Sequence, residues 1–360
     1  MGIILSLLLG CLAGFCAGKL MKGGGYGLIM NCVLGLFGGV LGGWLFDLLG
    51  ISWGGLLGQL GTAIIGAVVI LWIASLIKKQ SILMVDLEKC TLAVCEIARR
   101  AGAYIRGERE KFSLESVERK HAHDYVSYVD KGSERLIVSA LRELLPEAGF
   151  ITEEQTAQRG QSSLCWVVDP LDGTTNFIHQ YAPYAVSIAL MEGKEVLIGV
   201  VYEICADECF YAWKGGGAYL MHNKLHVSSQ KIQDALLCLQ LPYNSDAYKP
   251  TIKRLIDAFY GNVGSIRMCG SAAMALCYVA AGRLDGYAEQ YIGQWDYMAG
   301  SLIVMEAGGV VTDYAGSEDF TQGNSVVATN GVIQGNLLEI INSKESGNQG
   351  NTMQSIVDNS

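Results

Sequence analysis

Proline is scarce in this 360-residue chain, with five in all, and none falls in the first eighty residues. Charge is scarce there too: only Lys19, Lys22, Asp47, Lys78 and Lys79 carry it, beside 19 glycines. Whole-chain averages therefore pool two unlike halves. Basic residues run short in the remainder, where residues 81–360 hold 22 Lys and Arg against 34 Asp and Glu, a net charge of −12. That balance argues against nucleic-acid binding through phosphate neutralisation and fits a soluble domain whose carboxylates hold cations. The eleven cysteines include no CxxC pair and no regular spacing. A disulfide framework is thereby excluded, with a reducing compartment the default. No basic residue precedes the first apolar run. The stretch reads as a poor signal peptide on that ground, although Leu8-Leu9-Gly10-Cys11 loosely resembles a lipoprotein cleavage box and Met1-Gly2 with Ser6 a myristoylation start.

What the first eighty residues do contain is apolar. Runs at 3–21, 28–46 and 56–77 each approach the roughly 20 residues that cross a hydrocarbon core as a helix. Gly10, Gly14 and Gly18 recur every four residues. So do Gly35, Gly39 and Gly43, then Gly54, Gly58, Thr62 and Gly66. On a helix this spacing makes a small-residue groove that lets backbones approach closely in lipid. Lys19 and Lys22 place the first loop inside, Asp47 lies in the outer loop, and Lys78 and Lys79 place the exit inside. The expectation is a three-helix transmembrane segment over 1–80, N-terminus out, in an inner or plasma membrane, with the remainder cytoplasmic. Met21-Lys22-Gly23-Gly24-Gly25-Tyr26-Gly27 and Gly42-Gly43-Trp44-Leu45-Phe46 resemble the small membrane proteins called transglycosylase-associated proteins.

Residues 78–81 form a short polar exit, and Met84 stands where an independent soluble protein could begin. An amphipathic helix pattern covers 85–106, followed by helix patterns at 133–145, 252–259 and 272–281. Strands are expected at 164–168, ending at Asp169, then at 185–190, 196–202 and 309–313. Residues 215–226 read as a strand pair turning at His222-Asn223. Strands and helices interleave without strict βαβ order, which predicts layered sheets and helices in a mixed α/β domain over 84–343. Residues 344–360 are expected to be a disordered tail.

The most informative stretch is Trp166-Val167-Val168-Asp169-Pro170-Leu171-Asp172-Gly173-Thr174-Thr175-Asn176-Phe177. A buried strand delivers Asp169, Pro170 stiffens the turn, and Asp172 follows. Two carboxylates on one tight turn can share a hard cation through oxygens at about 2.0–2.1 Å. Gly173-Thr174-Thr175 reads as a helix start, whose backbone N–H groups suit a phosphate. The same acids could instead be bonded only to backbone in a capped turn. Glu153-Glu154 lies upstream after Phe150-Ile151, and Trp295-Asp296 lies downstream before the apolar residues 298–305. Carboxylates beside buried segments need cations or donors to balance them.

Those stretches resemble the inositol monophosphatase family. Asp169 through Phe177 resembles its first signature. Trp295-Asp296-Tyr297-Met298-Ala299-Gly300, continuing to Glu306-Ala307-Gly308-Gly309, resembles its second. The resemblance implies a layered sandwich of the inositol monophosphatase and fructose bisphosphatase type. It also implies hydrolysis of a small phosphate monoester with two to three Mg²⁺ ions, and a homodimer. Carried over, one metal falls to Glu153, Asp169 and the Leu171 carbonyl, and a second to Asp169, Asp172 and Asp296. A third ion leans on Glu153 through water. Asp130, at the end of Val126-Ser127-Tyr128-Val129-Asp130, pairs with Thr174 to polarise the attacking water. Gly173 and Thr174 hold phosphate, while Gly270, Ser271, Ala272 and Glu289 contact a hydroxyl-bearing ring, with Asp172 and Asp296 also at the substrate. Lys120 falls near the family's mobile lysine, one residue closer to Asp130 than usual. Thr152 stands where the family usually has Gly.

The resemblance implies that water attacks phosphorus directly, and no Cys or His lies in these signatures to act as nucleophile. Myo-inositol monophosphate leads among substrates. A nucleotide bisphosphate, fructose bisphosphate or histidinol phosphate stays open, as does a membrane scaffold with an inactive soluble half. His222 and His226 with Cys205 and Cys209 are set aside as a soft-metal site. Gly215-Gly216-Gly217 is set aside as a bend between strands, since it lacks the lysine of a phosphate loop. His121 and His123 read as solvated residues of a loop.

Overall fold

Helix α1 (Leu87–Arg109) opens the described fold, burying Val94, Ala98, Ala101 and Ile105 along one stripe. Glu88 in its first turn and Arg106 and Arg109 in its last complement the helix dipole. The computed structural model describes residues 86–112, 117–121, 124–241, 245–322 and 324–343, with Trp44, Ile64 and Ile65 before them. Apart from those three residues, the apolar runs and the tail lie outside the described residues, as do His123 and the side chains of Lys120 and His121. Among the described residues no helix is long and apolar enough to cross a membrane. The chain divides into two units, Met1–Asp86 and Leu87–Ser360, and the second is described below.

After α1 come the hairpin β1 (Val117–His121) and β2 (Asp124–Ser127), then α2 (Tyr128–Leu144), β3 (Gly149–Thr152), β4 (Leu164–Asp172) and the short α3 (Thr174–Ile178). An antiparallel run follows: β5 (Ala185–Glu192), β6 (Glu195–Glu203), β7 (Glu208–Trp213), β8 (Gly217–Leu220) and β9 (Asn223–Lys224). The last third holds β10 (Leu236–Leu239), α4 (Ser245–Phe259), β11 (Ser265–Arg267), α5 (Ala272–Ala280) and β12 (Gly286–Gln290). It ends with α6 (Gln294–Glu306), β13 (Val310–Thr312), β14 (Ser325–Thr329) and α7 (Gln334–Asn342).

Strands β3 to β9 lie side by side in chain order as a seven-stranded sheet, and β11-β10-β12-β14-β13 form a five-stranded one. Helices α5 and α6 are packed between the sheets. The shared core takes Val167, Val201 and Phe210 from the first sheet, Leu276, Met298 and Leu302 from the helices, and Tyr287 and Val326 from the second. Helices α1 and α2 cover the outer face of the seven-stranded sheet. Helices α4 and α7 cover the outer face of the five-stranded one, through Tyr248, Leu255, Phe259, Leu337 and Ile340. The result is the expected layered α/β sandwich. All nine residues of β4 are buried, as a strand covered on both faces must be. Its two aspartates are thereby carried into the interior.

Four boundaries differ from expectation, each for a local reason. Helix α2 begins at Tyr128 rather than 133, so Asp130 sits in its first turn, where a carboxylate is favoured by the dipole. Strand β4 runs through Asp172, with a register irregularity between Asp169 and Asp172 that lets Pro170 sit in the sheet. Helix α4 begins at Ser245 and contains Pro250. Pro250 is exposed two residues past the buried Tyr248, so the lost backbone bond falls on the solvent side. The β8–β9 turn is at Met221-His222, with Met221 at φ 57°.

Candidate active site

The β4 terminus builds the site. Asp169 is 1% exposed and Asp172 7% exposed. Asp169 Oδ1 accepts the Leu171 N–H at 2.9 Å, which folds the carboxylate over its own turn. Asp172 accepts the Ala272 and Ala273 N–H groups at the start of α5, at 3.3 and 2.9 Å, and the Ser271 hydroxyl. Asp296 comes from the first turn of α6, its Oδ2 accepting the Gly293 N–H at 2.8 Å. Oxygens of Asp169, Asp172 and Asp296 all lie within 4.8 Å of one another.

This crowding is electrostatically expensive. Burial, and then the carboxylates of Glu153, Asp172 and Asp296, push Asp169 well above the usual carboxylate range. Asp296 is pushed the same way by burial and then by Asp172, Glu153 and Glu289. Burial raises Asp172 to about 6, against the opposing pull of the Ser271 hydroxyl and the α5 backbone. A set of oxygen-only donors destabilised by mutual repulsion fits a hard divalent cation such as Mg²⁺.

Around the acids stands a second tier. Thr174 Oγ1 lies 3.0 Å from both Asp130 Oδ1 and the Leu171 carbonyl. A hydroxyl has one proton, and the buried carboxylate is the stronger acceptor. Glu134 accepts the Glu154 and Thr156 N–H groups, each at 2.8 Å, and so shapes the turn that presents Glu153. Thr152 ends β3 with its hydroxyl buried and unpartnered; the left-handed position of this turn is Gln155, at φ 56°.

Together these groups line a cleft of about 500 Å³ whose far wall carries Glu289 on β12. Tyr287 donates to Glu289 at 2.6 Å, while burial raises Glu289 to about 7. Gly173 (φ 86°) and Gly270 (φ 71°) meet across the cleft floor. A Cβ on Gly173 would lie 3.1 Å from the Gly270 carbonyl, and one on Gly270 would lie 2.7 Å from Asn176 Oδ1.

Residues 86–346 match the profile of the Inositol monophosphatase family. The chain belongs to this family. The inositol-1-monophosphatase of Mesorhizobium japonicum is 37% identical over 248 residues, covering 68% of this chain and 93% of the relative. The Nus factor SuhB of Haemophilus influenzae is 39% identical over 246 residues, 68% of this chain and 92% of the relative. The inositol monophosphatase structure from Anabaena superposes with a TM-score of 0.64 at 31% identity, over 71% of this chain and 96% of that one. Residues 32–79 match Transglycosylase associated protein, which points to membrane association of that segment.

Of the residues singled out from sequence, the cleft is lined by Glu153, Asp169, Leu171, Asp172, Gly173, Thr174, Gly270, Ala272, Glu289 and Asp296. Two stand behind it. Asp130 is 1% exposed and reaches the cleft through Thr174, and Ser271, also 1% exposed, points at Asp172 instead of into the cleft. The Ser271 hydroxyl thus holds the Asp172 carboxylate. Gln240 was not foreseen: its Oε1 accepts the Cys269 and Gly270 N–H groups at 3.1 and 3.2 Å. Nor were Tyr181, Met268 and Tyr291 at the rim. No local motif marks any of them. The histidines His222 and His226 are exposed, and the only potential metal cluster among the described residues is the aspartate set.

Proposed function

We propose that the chain hydrolyses a small polyol phosphate monoester, myo-inositol monophosphate first, by direct attack of water. The meeting of Asp169, Asp172 and Asp296 with the Thr174–Asp130 pair in one cleft carries this reading. Glu153, Asp169, the Leu171 carbonyl, Asp172 and Asp296 would hold Mg²⁺, two to three ions in all. Bound there, Mg²⁺ neutralises phosphate charge and lowers the pKa of a water. Thr174 Oγ1, with its proton committed to Asp130, presents lone pairs that accept from that water and orient it in line with phosphorus. The proton released passes through Thr174 Oγ1 towards Asp130. The backbone of Gly173 and Thr174 holds the phosphate. Gly270 and Ala272, with Glu289 opposite, receive the hydroxyl-bearing leaving group, Ser271 keeping Asp172 in place.

Thr175-Asn176-Phe177 favours the inositol type, because nucleotide-bisphosphate relatives carry a charged pair there. Asn176 here donates to the Pro183 and Cys269 carbonyls at 2.8 and 2.9 Å, a structural use that leaves no charge at the position. A related sugar- or nucleotide-phosphate activity is the second reading, and the relatives' two names leave room for it. Residues 1–80 would anchor the enzyme in the membrane as three spans, with the catalytic part cytoplasmic and paired as a homodimer. The test is phosphate release by the full chain from a panel of monoesters, with and without Mg²⁺. Mg²⁺-dependent release, fastest from inositol monophosphate, is expected. No release from any member would leave the inactive scaffold as the reading.

A further inference from the structure

Two cysteines meet at the wall of the cleft. Cys269 is half-buried and lines it, and Cys238 on β10 lies fully buried behind. Their sulfurs are 3.4 Å apart, and a disulfide closes at about 2.05 Å. The pair is unlike the other described cysteines in one respect: one partner is open to a small solute while the other stands directly behind it. Cys269 also faces a neighbouring pocket that contains Arg267. The Cys238 thiol, by its hydrogen bond, and then Arg267 draw the Cys269 thiol below its ordinary range, against the opposing effect of burial. That combination of access and thiolate character marks oxidisable cysteines in reducing compartments.

We propose that Cys269 and Cys238 form a peroxide-oxidisable dithiol whose closure turns the cleft off. The Cys269 sulfur attacks one oxygen of hydrogen peroxide and the O–O bond breaks. The sulfur becomes a sulfenic acid, and the departing hydroxide takes the thiol proton as water. Cys238 sulfur then attacks Cys269 sulfur, the S–S bond forms and the S–O bond breaks. The hydroxyl leaves with the Cys238 proton as a second water. Two thiols and one peroxide thus give one disulfide and two waters, and a thiol reductant reverses the change.

The consequence for the site follows from what Cys269 is tied to. Its N–H is held by Gln240 and its carbonyl by Asn176, and Gly270 is packed on Asn176. Ser271, two residues on, grips Asp172. Drawing the sulfurs together by more than 1 Å pulls this segment towards β10. The floor glycine and the donor on Asp172 shift with it, and misplacements of that size are costly to turnover.

The test uses the full chain, reduced and then treated with hydrogen peroxide. Peptide mapping under non-reducing conditions should find residues 238 and 269 cross-linked. Phosphate release should fall by about tenfold or more and return with dithiothreitol. Cys238→Ala should keep the reduced activity, form no cross-link, and leave a sulfenic acid on Cys269 that dimedone traps. The map decides the chemistry whether or not the chain turns over, or the variant folds. A reduced chain without turnover would count against the phosphatase reading instead. A map without the cross-link, or a cross-linked chain with undiminished turnover, overturns the switch.

Discussion

Asp169 is crowded by the carboxylates of Glu153, Asp172 and Asp296, and its replacement is the sharpest test of the site. Asp169→Asn should leave the fold intact, since the amide relieves repulsion from Glu153, Asp172 and Asp296, yet should nearly abolish turnover. Retention of more than about a tenth of wild-type kcat, a loss under ~1.4 kcal/mol, would falsify the bridging role. Thr174→Ala should lower kcat more than it weakens Mg²⁺ binding, because the hydroxyl acts on water through Asp130. A raised Mg²⁺ requirement at constant kcat would reverse that assignment. The acids also set a pH dependence. Asp172 and Glu289 are raised to about 6 and about 7, so their folded forms hold protons more tightly than their unfolded forms. Stability from this source is present in acid and is lost as pH rises from near 4 through 7. In thermal melts, a chain stripped of divalent ions should lose on the order of 1–3 kcal/mol across that window. Mg²⁺ should restore most of it above pH 7, and equal melts at pH 5 and 8 without Mg²⁺ would contradict this. The acids were legible from sequence because Asp169 and Asp172 share one turn and a distinctive motif. Gln240 and Ser271 act through backbone and side-chain contacts formed only when β10, α5 and β4 converge, and no spacing announces such partners.

At the scale of elements, the floor of the cleft is two turns pressed together. Gly173 and Gly270 both have left-handed backbones and face each other at contact distance. Gly270→Ala should destabilise the chain by about 1–3 kcal/mol and disturb Asn176, lowering kcat/KM as well as the melting temperature. An unchanged melt and unchanged kinetics would show that the turn can relax. The strands of the seven-stranded sheet were readable because β5 and β6 are long and apolar. Strands β10, β12 and β14 escaped notice: each has four or five residues, too few to separate a buried strand from a buried helical turn. The N-terminal turns of α2 and α4 escaped for the opposite reason. Their first turns are polar, with Asp130 and Asp246 serving the dipole and contributing nothing to an apolar stripe.

For the whole molecule, the sharp change in composition near residue 80 was the plainest signal of all. It predicts that full-length protein sediments with membranes and resists extraction by high salt, since apolar spans rather than a basic patch would hold it. Release by salt alone would argue against the spans. Protease should reach the catalytic part only from the cytoplasmic face, following Lys19, Lys22, Lys78 and Lys79, and cleavage in intact cells would overturn that orientation.

The acids come from two adjacent layers of the sandwich: Asp169 and Asp172 from the seven-stranded sheet, Asp296 from a helix packed between the sheets. An ion held by all three would clasp the two layers together at a seam where carboxylates otherwise repel one another. Amide hydrogen exchange along β4 and the start of α6 should therefore slow together when Mg²⁺ is added, as one cooperative block. The same ion that readies the phosphate for hydrolysis would then decide how often the protein breathes open.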